Sequence, residues 1–482
     1  MKHFFVLRRY RLAWFALPVA MLISQITAAQ TLSSLMYFNG SSAAGGVALG
    51  TDGALYGVAS ESTFGRGAIA GLIYRASTDS SQPIATIYQY GQLGVFAGGG
   101  PRGTLARDAA GNFYGVTAYN TIDATFGIPS GSGTVFTLTP SGAYTRLHLF
   151  ADPISLLPTT NIDGAQPTAS LLLASDGFLY GSTTSGGANG NGTIFKIATD
   201  GSGFAVLHTF SATTALNSDG HAVNSDGIPS QTRLLQANNG DLYGTTTSGG
   251  ENGTGAIFRL HRDGSGFAVI WTFDVSPITD ITTVTLKTNA TGAYPASGLL
   301  QASDGRLYGT TTQQGAIGYG NVYRIADDGS EFTVLHSFDL TNGGNPSGEL
   351  IVAHDGTIVG TTTAGATQSD GVTAGSGTLY SMSLDGTTFN TLYVFGVDGA
   401  NPTTGVIQSS DGSFFGTTAS GGPFAQGTVF KFGTPTNAPA QGTPPPFTDS
   451  GAISWWLLVA LGLLTTIRKR ARFADERLAT RE

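Results

Sequence analysis

Chemistry in this chain has to come from acids, histidines and hydroxyls, because the sequence contains no cysteine. Disulfides, thiolate metal sites and a thiol nucleophile are thereby excluded. The acids fall into two recurrent sets. The first lies in Asp-Gly turns at Asp52, Asp176, Asp304, Asp355 and Asp411, with Asn239 standing where a further Asp would be. Calcium requires roughly six to eight oxygens converging on one point. These turns offer one acid each, without an Asp-x-Asp-x-Asp ladder, so they read as hairpin chemistry, where Asp and Gly accept positive φ. The second set is Asp163, Asp226 and Asp398, each followed by Gly and shortly afterwards by Pro167, Pro229 or Pro402. Gly and Pro suit a turn entering a strand, and these three acids are the candidates for a ligand-facing set.

Other chemistries find less support. His148, His208 and His336 each follow Leu in equivalent places, and a repeated position argues for packing or a strand hydrogen bond. No His-x-x-x-His pair is present, so a zinc site is not expected. Glycoside hydrolysis needs two carboxylates flanking the bond. The segments that would line a central channel carry Ser, Ala, Gln and Leu, with Glu349 the exception. Gly201-Ser202-Gly203 lies in a turn and is no nucleophile elbow. The Gly-rich stretch at Gly186-Gly187 opens no helix, which leaves a phosphate cradle unsupported. No catalytic residue, metal ligand or cofactor is therefore assigned.

The elements that position these residues follow from a repeat. A pair of aromatic or apolar residues followed by Gly recurs seven times, ending at Gly57, Gly115, Gly181, Gly244, Gly309, Gly360 and Gly416. Copies spaced by 51 to 66 residues suit four-stranded propeller blades with some long loops. The composition agrees: 70 Gly, 40% hydrophobic residues and only 11% charged fit short strands joined by tight turns. Each copy holds four strand candidates, A to D, and in the third these are 170–174, 178–184, 192–197 and 204–210. The seventh copy has A (405–408), B (414–419) and C (428–432) but no D. Residues 32–38 read like a D strand, and pairing the first segment with the last would close the ring and abolish its exposed edge. The expected fold is all-β, a seven-bladed propeller over 30–433 whose last blade is completed by the N-terminal strand. In such a meander the A–B and C–D turns share one face, and the B–C and D–A loops share the other. The second set is long and variable, so binding is expected there.

The stretches 179–187 and 192–197, Leu-Tyr-Gly with its Thr/Ser-Gly-Gly tail and then Gly-Thr-Ile-Phe-Lys-Ile, resemble the tandem GloVer repeat of choice-of-anchor proteins. The likeness runs over roughly 30–433, strong in copies three to five and seven and weaker in one, two and six. It implies surface display and no catalytic activity.

The ends carry addressing signals. Residues 1–29 read as a signal peptide: Lys2, Arg8, Arg9 and Arg11, an apolar run, then small residues ending at Ala29, the expected cleavage site. A Pro-rich linker (434–450) precedes an apolar helix with a basic stop (451–470) and a cytoplasmic tail (471–482). Ser450-Gly451-Ala452 with that helix resembles a C-terminal sorting signal of the GlyGly-CTERM/PEP-CTERM class, which implies processing near Ser450 and Gly451. A plain transmembrane anchor is the alternative. Net charge is −8 with no basic patch in the repeats, so nucleic acid is not an expected partner. The expectation is an exported Gram-negative-type protein, held at the membrane or cell surface, that acts as a non-enzymatic binding module for a glycan, peptide or matrix component, with a polysaccharide or surface protein as partner. A carbohydrate-active hydrolase or lyase and a purely architectural role are the alternatives.

Overall fold

The computed structural model describes residues 30–433 except 62–70, 80–83, 91–98, 123–128, 157–158, 218–219, 230–232, 276–287 and 367–374. The signal peptide with Ala29, the linker, Ser450 and Gly451, the apolar helix and the tail lie outside the described residues. The described residues form strands and no helix, so none is long and apolar enough to cross a membrane.

Seven antiparallel sheets follow one another as the blades of a propeller. In blade 3 strand A is Leu172–Leu173, B is Phe178–Ser182, C is Thr193–Ala198 and D is Ala205–Thr209. The other blades repeat this order, and in blades 1, 4 and 6 strand A is split into two pieces that pair with the same B strand. Blade 7 takes A, B and C from Ile407–Gln408, Phe414–Thr417 and Thr428–Gly433. Its D strand is Thr31–Tyr37, paired from Thr31↔Gly433 to Tyr37↔Thr428. The ring therefore closes as the sequence leads one to expect.

The repeated Gly has a packing reason. Gly181 lies across from Phe195 on strand C, and Gly244 lies across from Phe258. A Cβ on Gly181 would stand 2.6 Å from Phe195 Cζ and 2.8 Å from Leu171 Cδ2. The aromatic ring of strand C thus occupies the space that any side chain would need. All seven motif glycines face a Tyr or Phe in this way.

The core lies between blades. Leu172, Tyr180, Ile194 and Phe210 of blade 3 pack with Leu234, Leu242, Phe258 and Leu260 of blade 4. Each junction is extended outward by a bulge. The C–D register slips by one residue in each of blades 1 to 6, as at Ile194/Phe195. A bulge sends two consecutive residues to the same side, so Leu207 and His208 both meet blade 4. His208 stacks on Phe267 at 3.6 Å, His148 on Phe204 at 3.7 Å and His336 on Phe389 at 3.8 Å. Trp271 on Phe332 and Tyr88 on Tyr144 make the same stack, which accounts for the repeated histidine position as packing.

The approach to strand A uses strained backbone. Gln166, Tyr294, Asn345 and Asn401, each preceding a proline, adopt φ of 54° to 59°. Non-glycine residues occupy this region at a cost. Here the twist lets each N–H bond the preceding blade, as in Gln166 to Ser132 O (2.8 Å) and Asn401 to Ser376 O (2.7 Å). The carbonyls of Gln166 and Asn401 accept from their own blade, at Thr184 and Ala419. The strain is offset by a bond across each junction.

Candidate ligand-binding site

The three candidate acids stand in D–A loops, at the entries to blades 3, 4 and 7. Their environments differ. Asp163 is 7% exposed and Asp226 5% exposed. Asp163 pairs with His148 Nε2 at 3.0 Å and accepts from the Ala151 N–H at 3.0 Å. Asp226 repeats this with His208 at 2.9 Å and the Ser211 N–H at 3.0 Å. Asn161 and Asn224 complete each corner. Asn161 Oδ1 accepts from Gly164 and Gly187, while its Nδ2 donates to the Ala151 and Gly164 carbonyls. Two of the three carboxylates are thus turned into the loop base, where they fix the loops above. Asp398 is exposed, and its carbonyl receives the Ser34 hydroxyl at 3.1 Å.

Around the channel, strand register puts Gly46, Thr104, Ser170, Arg233, Gly298, Glu349 and Gly405 in one layer, each two residues before the strand A residue that faces the motif aromatic. The Thr104 N–H donates to Ser170 Oγ at 2.8 Å. Arg233 and Glu349, from blades 4 and 6, approach to 3.8 Å past Gly298 of blade 5. Glu349 was visible in sequence as the lone inner acid; its cation was not, because nothing local links the two. This layer holds one acid paired to one base rather than two acids. Among the described residues no cluster of three or more His, Asp or Glu could hold a metal ion.

The opposite, turn-bearing face is built on the motif tyrosine. The hydroxyl of Tyr56, Tyr114, Tyr180 and Tyr308 donates to Oδ2 of Asp52, Asp108, Asp176 and Asp304 at 2.7 to 3.0 Å. In blade 4 Asn239 Nδ2 instead donates to Tyr243 at 2.9 Å. Three of these hydroxyls also reach the C–D turn of the next blade, and Tyr180 does so at 3.4 Å from Arg262 O. Tyr308 lies 3.1 Å from Leu384 O, and Tyr243 lies 3.2 Å from Asp327 O. Burial first, and then the carboxylate beside them, pushes the Tyr180 and Tyr308 phenols upward, so they remain donors. Asp108 was missed in sequence, because it enters its turn three residues before Gly111 rather than directly before it.

Blades 6 and 7 depart from this pattern. Phe415 replaces the tyrosine in blade 7, and Lys431 approaches Asp411 Oδ2 at 3.5 Å. Bonds from the Ser409 hydroxyl and the Ser413 N–H hold the Asp411 carboxyl down to about 2. In blade 6 Val359 stands in the tyrosine position. A cavity of about 290 Å³ opens there toward blade 7, lined by His354, Asp355, Val359, Ser381, Gln408 and Phe414 among others.

These features define a class: a closed seven-bladed propeller made of one repeated blade, with uniform turns on one face and elaborated loops on the other. The chain belongs to the Gloeobacter/Verrucomicrobia repeat family, whose model matches residues 21–228 and 268–441. No curated protein sequence matches it. Among solved structures it is similar to the extracellular domain of a protein described as a hybrid two-component system from B. thetaiotaomicron, at 10% identity and a TM-score of 0.46. That match covers 83% of this chain and 39% of the other, so the chain spans about two fifths of it. It is also similar to a protein described as a 6-phosphogluconolactonase from Bacteroides fragilis, at 15% identity, a TM-score of 0.44 and coverage of 76% and 88%. A third similar structure, a protein of unknown function from Dyadobacter fermentans, has 10% identity, a TM-score of 0.40 and coverage of 83% and 98%.

Proposed function

We propose that this protein is an exported, surface-anchored binding module without catalysis, which holds a glycan, peptide or matrix component on its B–C/D–A loop face. The observation that carries this reading is the placement of exposed apolar side chains. Of eight large ones exposed among the described residues, six are in those loops: Ile154, Ile162, Leu216, Ile317, Val397 and Phe424. Ile154, Ile162 and Val397 are each more than three quarters exposed. They share the face whose loops are long and variable, where a rigid scaffold carries its binding residues. The Asp163 and Asp226 corners beneath give these loops a rigid base, and Asp398 supplies an accessible charge beside Val397. Export and anchoring rest on the two chain ends, with signal peptidase acting at Ala29 and a sorting protease near Ser450 and Gly451.

The test is an array of polysaccharides and matrix proteins probed with the full chain, reading retention and released product together. Retention without product is expected. Ile154→Asp with Val397→Asp should weaken it at least tenfold and leave the melting temperature unchanged. Release of product, or retention indifferent to these substitutions, overturns the reading.

A further inference from the structure

We infer that the cavity between blades 6 and 7 is a binding site for a small phenol, an aryl alcohol that takes the place of the missing motif tyrosine. The protein itself supplies the template. In blades 1, 2, 3 and 5 a tyrosine ring fills the junction and its hydroxyl donates to Oδ2 of the turn aspartate. In blade 6 the turn aspartate is kept and the ring is gone. Asp355 Oδ1 accepts from Thr357 N–H (3.0 Å) and Thr357 Oγ1 (2.7 Å), as the other turn acids accept from their turns. Its Oδ2, the atom that takes the phenol elsewhere, has no hydrogen-bond partner among the described residues.

Three further departures enlarge the space. The residue paired with the tyrosine across strand C is Arg75, Lys196, Arg259 or Arg324 in blades 1, 3, 4 and 5, but Ser381 in blade 6. At the junctions of Tyr180, Tyr243 and Tyr308 a continuous C–D turn from the next blade meets the hydroxyl, as at Leu384 over Tyr308. Blade 7 has no such turn, because strand C ends at Gly433 and strand D begins at Thr31, leaving Gln30 at the rim. On the outer strand Leu32 packs where Phe389 and its equivalents provide a ring at other junctions.

The result is an open pocket of about 290 Å³ with Phe414, Leu392 and Val359 as apolar wall and the exposed Asp355 as acceptor at its mouth. That volume is at the small end of ligand pockets, roughly 300–1,000 Å³. Gln408 does not compete for Asp355, since its Oε1 accepts from the His354 N–H at 2.8 Å and its Nε2 donates to Gly412 O at 3.1 Å. A hydrogen bond from a hydroxyl to a carboxylate is stronger than one between neutral groups. The site therefore selects an aromatic ring that carries a hydroxyl over the bare ring.

The probe is p-cresol, titrated into the full chain and followed by calorimetry and by saturation-transfer NMR, with toluene and glucose as comparators. Saturable binding of one p-cresol per chain is expected, tighter than toluene by roughly tenfold or more. Val359→Tyr restores the plug and should abolish binding while raising the melting temperature. Asp355→Asn should remove the preference over toluene without loss of fold, since Asn239 already occupies this turn position in blade 4. Absence of saturable p-cresol binding, equal binding of toluene, preference for glucose, or unchanged binding in a folded Val359→Tyr chain overturns the inference. The cavity lies on the face opposite the loops, so these outcomes are separate from those of the loop-face test.

Discussion

The junction between blades 5 and 6 and the junction between blades 6 and 7 share a backbone and differ in what fills it. In the first, Tyr308 is fully buried, faces Arg324 across the strands and bridges Asp304 to the Leu384 carbonyl of the next blade. In the second, Val359 faces Ser381, and no continuous turn links strands C and D of the neighbouring blade, since strand C ends at Gly433 and strand D begins at Thr31. Both keep the motif glycine beneath a tyrosine of strand C, Tyr323 and Tyr380, so the sheet itself is unaltered. The strand pairing and the interblade plug are therefore separable. The glycine and the strand C ring make a blade. The tyrosine and its turn acid join blades, and one junction can do without them because inner and outer strands still pack there.

The largest effect should come from imposing the second junction on the first. Tyr308→Val removes a buried ring and its bonds and should cost about 2–4 kcal/mol, near the lower part of the range for truncated core aromatics. Urea unfolding would read it. Adding Arg324→Ser reproduces both truncations, and the bound p-cresol should then rise from one to two per chain. A folded double variant that stays at one would show that the missing C–D turn, rather than the side chains, makes the cavity.

Next in size is Gly309→Ala. A Cβ there meets the Tyr323 ring and stands 3.0 Å from Leu299 Cδ2. Overpacking of this kind costs about 1–3 kcal/mol. The corresponding Gly360→Ala should cost a similar amount, despite the nearby cavity, because the obstruction is the Tyr380 ring of its own blade. A much smaller cost at Gly360 would mean that the void relaxes the blade and that pairing and plug are coupled. Tyr308→Phe, which keeps the ring and loses the hydroxyl, should cost about 1–2 kcal/mol.

Blade number, strand order and ring closure were legible because they rest on local chemistry. Tyr-Gly spacing marks each strand B, Asp-Gly marks the turns, and residues 32–38 repeat a D-strand pattern. The candidate site was legible only in part. Asp163, Asp226 and Asp398 look alike in sequence, yet burial and a histidine partner separate the first two from the third. That distinction depends on His148 and His208 facing the corner, which a bulge decides and spacing does not. The Arg233–Glu349 pair spans two blades, and the cavity needs Val359 and Ser381 in register. The irregular Ile358-Val359-Gly360 was visible as a departure, but a departure has no meaning until its neighbours are known.

The smallest expected effect concerns the outer stack on the intact side of this comparison. His336 in blade 5 stacks on Phe389 as His208 stacks on Phe267, but the Asp226 partner has no counterpart in the Asn342-Gly343 corner. Burial pushes the His336 imidazole below its ordinary value of 6.5, while Asn342 and the Asp339 charge pull the other way. The folded chain therefore resists a proton that the unfolded chain accepts. Stability should be full above about pH 6.5 and fall as the pH drops from there toward the depressed folded value. Asp355 and Asp411 have lowered values, so their contribution is lost only in the carboxylate range, well below this window. His336→Phe keeps the stack and deletes the titration, so the loss of melting temperature between pH 7.5 and 5.5 should shrink relative to the parent chain. An unchanged loss would place the titration elsewhere.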